Sequence, residues 1–112
     1  MARKNFDKLL IEAVDDALSS LGESAKMAIY YHVKDKFGIS KEEIPSRVKE
    51  FSEGLEKIFG SGAKFIEILI MKKLYERIGK PLEWDESKEL TFADYVETAR
   101  QCVEKEGKVE SK

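Results

Sequence analysis

Apolar residues recur at three- and four-residue spacing along most of the chain, which is the period of amphipathic helices. The first apolar stripe covers residues 6–21, and Gly22 follows at the place where a left-handed cap would end the helix. A second helix is predicted to begin at a Ser24 cap and to end at Phe37, with Gly38 closing it. The positions predicted to be buried on this helix are Ala25, Ile29, Val33 and Phe37.

A single helical turn and a third helix are predicted next. Ser40 and Glu43 have the spacing of a capping box, in which Ser40 bonds forward and Glu43 bonds back. Pro45 then interrupts the pattern, so we expect a new helix to begin near Ser46 and to end at Gly60. The apolar stripe of this third helix consists of Val48, Phe51, Leu55 and Ile58.

Two glycines are predicted to shape the packing around the third helix. Gly54 lies inside it, where glycine costs about 1 kcal/mol relative to alanine, and is expected to let another helix approach closely. Gly62 is expected to adopt a backbone conformation that a Cβ would disturb, or to lie too close to its neighbours for a Cβ to fit. The corner 60–64 also suggests a phosphate-binding loop, because N–H groups at a helix start favour anions. However, Phe65 follows Lys64 and a helix precedes the loop, so we favour a helix–helix corner.

The fourth predicted helix, residues 63–78, is apolar around most of its circumference. A helix of this kind is either buried at the centre of a domain or shared with a partner. We therefore expect an all-α single compact domain of about five helices around this central helix, and a homodimer that uses part of it. The candidate interface residues on the helix are Phe65, Ile68, Met71 and Tyr75.

The C-terminal part is predicted to hold a polar connection and one more helix. Residues 80–90 form the connection and contain the only tryptophan, Trp84. Thr91 is placed to cap a helix over 91–106, and the chain is expected to fray from Gly107. We treat residues 1–112 as one domain.

Composition excludes several classes of protein. Charged residues make up 38% of the chain, with an excess of Lys and Glu that is typical of proteins from hot environments. Cys102 is the only cysteine, which excludes an internal disulfide. The chain opens without an apolar run of signal-peptide length, and the apolar stretch 65–71 is far too short to span a bilayer. We expect a soluble, cytoplasmic protein that does not contact a membrane.

Nucleic-acid binding is the alternative function. Residues 29–44 resemble the turn of a helix-turn-helix, with a glycine, an apolar residue and a capped second helix. Pro45 cuts that second helix short, and Glu42 and Glu43 would face phosphate. The net charge is −2, and residues 83–112 carry nine acidic and five basic groups. We therefore expect a protein partner rather than a nucleic acid.

No catalytic, cofactor-binding or metal site is predicted. His32 and Cys102 are the only histidine and cysteine, and nothing in the sequence brings them together as a nucleophilic pair. They are too few for a zinc site of Cys and His ligands. Tyr30 and Tyr31 are adjacent on one helix, so only one of them can point fully inward. An exposed tyrosine is typical of protein interfaces, so both are candidate interface residues. A tyrosine can equally bury its ring and leave its hydroxyl in water, and the sequence leaves both interpretations open.

Several of these segments together resemble a known family. The segments 29–31, 37–39 and 59–63, which read Ile-Tyr-Tyr, Phe-Gly-Ile and Phe-Gly-Ser-Gly-Ala, lie within a match over roughly residues 9–79. The family is the fifth type of helical output domain described from Nitrosopumilus signalling proteins. It occurs alone or attached to receiver-type domains and has no established catalytic residues. The resemblance implies a non-catalytic regulatory module of an archaeal signalling system, and residues 80–112 lie outside it.

Overall fold

The computed structural model describes residues 2–80 and 91–110, with the side chains of 6–80 and 91–104. The described residues form helices and no strand, which confirms the predicted all-α class. Trp84 and most of the predicted connection lie outside the described residues. The helices are α1 (Ala2–Ser19), α2 (Glu23–Phe37), a first 3-10 helix (Lys41–Ser46), α3 (Val48–Phe59), a second 3-10 helix (Gly60–Gly62), α4 (Ala63–Ile78) and α5 (Phe92–Glu110).

The largest packing contact in the domain is between α1 and α4. α4 also packs against α3 and α5, and α1 also packs against α2, the first 3-10 helix and α5, so α1 shares the central position that the sequence predicts for α4 alone. Burying one large aliphatic or aromatic side chain contributes roughly 1.5–3 kcal/mol, so this core supplies the main stabilising contribution. The largest side chains that are fully buried include Phe6, Leu10, Leu18, Ile39, Ile44, Phe51, Leu55, Ile70, Met71 and Leu74.

The start of α2 differs from the prediction. The helix begins at Glu23, and its N-terminal flanking residue is Gly22 rather than Ser24. Gly22 has a φ of 109°, a conformation that glycine adopts readily and that residues with a Cβ rarely adopt. The other end agrees with the prediction, because Gly38 closes the helix in a left-handed conformation with a φ of 66°.

Both predicted caps further along the chain are formed. The Glu43 carboxylate accepts hydrogen bonds from the Ser40 backbone N–H and from the Ser40 hydroxyl, each at 2.9 Å. At α5 the Thr91 N–H donates to Asp94 Oδ2 at 2.9 Å, and the Asp94 N–H donates to Thr91 Oγ1 at 3.1 Å. The bonds between Thr91 and Asp94 are reciprocal, and at both sites the bonds satisfy N–H groups that the start of a helix leaves without partners.

Gly54 allows α2 and α3 to approach closely, as its position in the sequence predicts. A Cβ added at Gly54 would lie 3.0 Å from Cδ2 of the Phe37 ring. The prediction for Gly62 is wrong, because its φ is −68° and an added Cβ would meet only the Phe59 Cβ at 3.8 Å. Gly60 is the corner residue with the unusual backbone, at a φ of 59°.

The last helix is longer than the sequence pattern predicts. α5 continues to Glu110, whereas the prediction has the chain fraying from Gly107. A glycine in a helix interior costs about 1 kcal/mol relative to alanine, which weakens a helix without always ending it.

Candidate interaction surface

Only one of the two adjacent tyrosines of α2 points toward the core, as predicted. The Tyr30 hydroxyl donates to Asp15 Oδ1 at 3.1 Å, and the Lys41 ammonium lies 3.0 Å from the same oxygen and 5.4 Å from the centre of the Tyr30 ring. The hydrogen bond from Lys41 lowers the pKa of Asp15, while burial and the Asp15 charge raise the pKa of Tyr30. Tyr30 therefore ties α2 to α1, and Tyr31 is 64% exposed.

One side of α2 is exposed along its whole length. The helix packs against α1 and α3 with Ile29 and Val33. At 100° per residue, the opposite side presents a strip with Tyr31 near its centre and Met27 at its flank. We call this the α2 face. It consists of the exposed residues Ser24, Met27, Ala28, Tyr31, Lys34 and Asp35.

The α2 face combines large apolar side chains with small and charged ones. Met27 is 63% exposed, and it lies one turn from Tyr31. Methionine and tyrosine are enriched in protein interfaces relative to the rest of the protein surface. The ring of Tyr31 contacts His32 edge-on, with ring centres 5.6 Å apart, so the neighbouring imidazole supports its outward position.

The predicted interface on α4 is only partly available. Phe65 is 65% exposed and Ile68 is partly buried, but Met71 is fully buried and Tyr75 is 7% exposed. The Tyr75 hydroxyl donates to the Tyr95 carbonyl of α5 at 2.9 Å, which shows that α5 covers this part of α4. Met71 and Tyr75 therefore belong to the core, and the prediction that they form an interface is wrong.

A groove of about 980 Å³ lies where α3, α4 and the start of α5 meet. Glu67 lines it and is 8% exposed, with the Ser52 hydroxyl donating to its carboxylate. Burial raises the pKa of Glu67, and the nearby Glu56 charge adds to this effect, while Ser52 and Lys64 oppose it. The charged residues that line the groove are Lys49, Glu53, Glu56, Lys64, Glu67 and Asp94.

The suggested phosphate loop forms one edge of this groove. Residues Gly60–Gly62 make a single 3-10 turn between α3 and α4, which fits the helix–helix corner that the sequence favours. Carboxylates outnumber ammonium groups among the lining residues. A phosphate would meet this negative field, so the groove does not have the charge expected of an anion site.

The element that resembles a helix-turn-helix lacks a long second helix. After α2 the chain forms only the six-residue 3-10 helix Lys41–Ser46. Two basic side chains at this turn contact the protein itself. Lys41 pairs with Asp15, and the guanidinium of Arg47, the residue that follows the 3-10 helix, binds Glu50 at 2.7 Å and the Gly38 carbonyl at 2.8 Å. These contacts hold the turn together and engage two of the cations that a DNA phosphate would need, while Lys34 and Lys36 at the end of α2 are exposed.

Among the described side chains, no three His, Cys, Asp or Glu residues lie close enough together to hold a metal ion. Within residues 2–80 and 91–110, no helix is both long and apolar enough to cross a membrane. Comparisons with protein-family models, with curated proteins and with solved structures found no match to this chain.

Sequence reasoning named Tyr31 but missed the rest of the α2 face. The signal was present: once Ile29 and Val33 are assigned to the core, Met27 and Ala28 must point away from it. The apolar residues on both sides of α2 concealed this face, because a stripe is normally identified by its contrast with a polar side.

Proposed function

We propose that this chain is a non-catalytic helical interaction module that binds a protein partner through the α2 face. The observation that carries the proposal is the exposure of Met27 and Tyr31 on consecutive turns of one helix. Exposing these apolar side chains to water costs free energy, and a partner that covers them would remove that cost. The resemblance over residues 9–79 supports the proposal, because the family it points to is regulatory and has no established catalytic residues.

We place the module in the cytoplasm, in a signalling system of the archaeal type to which the resemblance points. The α2 face suits a contact that forms and dissociates. It is one helix wide and mixes apolar side chains with Lys34 and Asp35, whereas obligate interfaces are larger and more apolar. The polar flank allows the free module to remain dissolved, and the apolar centre provides the contact energy.

Site-specific photo-cross-linking tests the proposal. Benzoylphenylalanine replaces Tyr31 in one variant and Lys72, an exposed residue of α4, in the control. After irradiation in a lysate of the source organism, we expect an adduct from position 31 and none from position 72. Adding Met27→Glu should abolish the adduct at 31, because a charge at Met27 opposes burial of the face.

The opposite pattern would contradict the proposal. Equal adducts from positions 31 and 72 would indicate non-specific capture. An adduct at position 31 that Met27→Glu leaves unchanged would show that the α2 face does not hold the partner. The absence of any adduct from position 31 would also count against the assignment.

A further inference from the structure

We propose that the α2 face binds a second copy of this chain, with the two α2 helices packed antiparallel about a twofold axis. This inference rests on the proposed function and names the partner at that same surface. A twofold interface uses one patch on both subunits, so the patch must be complementary to itself. The α2 face satisfies this condition in shape and in charge.

The shape of the face changes along the helix. Its N-terminal half carries the small side chains of Ser24 and Ala28 beside the long, flexible Met27, and the bulky Tyr31 follows just past the middle of the helix. In an antiparallel pair whose twofold axis passes near Ala28, each Tyr31 ring enters the space above Ser24 and Ala28 of the other helix. This is the packing of a side chain into a hole formed by four residues of the facing helix.

The charges follow the same arrangement. α2 has the acidic Glu23 in its first turn and the basic Lys34 and Lys36 in its last turn. With the axis near Ala28, residue 23 of one helix lies opposite residue 33 of the other, so Glu23 lies near Lys34 of the second copy at both ends. The two helix dipoles also run in opposite directions, which favours this orientation over a parallel one.

The size of the face sets the expected strength. With the twofold axis near Ala28, residues 23–33 of the two helices overlap, and these eleven residues at 1.5 Å each span about 16 Å. A contact between two single helices of this length falls at the small end of specific interfaces. We therefore expect a reversible dimer with a dissociation constant on the order of 10–100 µM.

A charge exchange followed by sedimentation equilibrium tests the arrangement. Glu23→Lys places a lysine opposite Lys34 of the second copy, and Lys34→Glu places a glutamate opposite Glu23. Each variant alone should dimerise at least about tenfold more weakly than the wild type, because like charges meet at both ends. An equimolar mixture of the two should regain wild-type affinity, because both end contacts then pair opposite charges.

Two controls show whether a loss of dimer comes from the α2 contact itself. Glu23 and Lys34 are exposed, and circular dichroism should show unchanged folding in both variants. Phe65→Glu changes a side chain of α4 that is as exposed as Tyr31, and it should leave the dimer intact. Loss of the dimer in Phe65→Glu, or failure of the mixture to regain affinity, would overturn the antiparallel α2 pair.

The cross-linking variant distinguishes failure of this inference from failure of the proposed function. A wild-type chain that stays monomeric up to about 500 µM, well above the range expected of so small an interface, would overturn the second copy as partner. If position 31 then gives an adduct with a different protein, the interaction module stands and only its partner changes. If position 31 gives no adduct at all, both proposals fall.

Discussion

Arg100 provides the sharpest test of how α5 is attached to the rest of the domain. Its side chain is 18% exposed. The guanidinium donates to the Pro45 carbonyl at 3.0 Å and lies 4.7 Å from the centre of the Phe6 ring. It also lies 3.5 Å from Asp7 Oδ1 and donates to Glu97 Oε1 at 3.2 Å. Arg100→Met keeps the apolar stem and removes all of these contacts.

The contacts differ in what their loss costs. Removing a charged donor from a partly buried carbonyl costs about 1.5–3 kcal/mol. The contact with the aromatic ring adds about 0.5–1 kcal/mol, and the two ion pairs add up to about 1 kcal/mol together. Asp7 Oδ1 is buried and accepts no hydrogen bond, so it also loses its nearest cation. Allowing for the packing that methionine restores, we expect a loss of about 3 kcal/mol, or roughly 12 °C in Tm.

Urea unfolding followed by circular dichroism measures this loss. Arg100→Lys keeps the charge without the planar fork and should fall between the wild type and Arg100→Met. The matched control is Arg77→Met, which removes an arginine paired with Asp16 at an exposed site and should cost less than about 1 kcal/mol. An Arg100→Met variant that unfolds within about 0.5 kcal/mol of the wild type, or an Arg77→Met variant that loses as much stability, would show that Arg100 does not anchor α5.

Three further predictions concern the groove, the glycines and the alternative function. The raised pKa of Glu67 means that the folded state holds its proton more tightly, so stability falls as pH rises from the unfolded value near 4.5 through the folded pKa; Glu67→Gln should remove this fall in pH-dependent urea unfolding, and Glu56→Gln should only reduce it, because the Glu56 charge is one of the causes that raise the Glu67 pKa. Gly38→Ala should lower the free energy of unfolding by about 1–2 kcal/mol, because its φ of 66° strains any residue with a Cβ; Gly62→Ala, at a φ of −68°, should change it by less than about 0.5 kcal/mol, and an equal effect at both sites would contradict the backbone argument. Fluorescence anisotropy with duplex DNA at physiological salt should show no binding tighter than about 10 µM, and a sub-micromolar, salt-sensitive affinity would restore the nucleic-acid alternative.

The sequence predicts most of the fold because helix periodicity and helix ends are local properties. Gly38 ends α2 and Thr91 opens α5 as predicted, since each acts on backbone groups within a few residues. The errors arise where two nearby residues compete for one role. Gly22 flanks the start of α2 instead of Ser24, and Gly60 takes the unusual backbone instead of Gly62, because propensity does not determine which of two nearby residues the chain geometry selects.

The surface is harder to predict because it depends on which helices cover which faces. Periodicity identified Phe65 and Tyr75 as apolar positions of α4 but carried no information about where α5 lies. In the structure α5 covers Tyr75 and leaves Phe65 exposed. For α2, the inward and outward apolar residues are separated only by rotation about the helix axis, and contact with α1 decides which of them is buried.

The methionine methyl groups allow the most direct test of the α2 face as the contact surface. The chain has three methionines, of which Met27 lies on the face and Met71 is fully buried in the core. The protein is labelled with ¹³C at the methionine methyl groups and observed by NMR. Raising the protein concentration, or adding a partner identified by cross-linking, should shift or broaden the Met27 signal and leave the Met71 signal unchanged. A Met27 signal that stays fixed under conditions where the protein is bound to its partner would contradict binding through the α2 face.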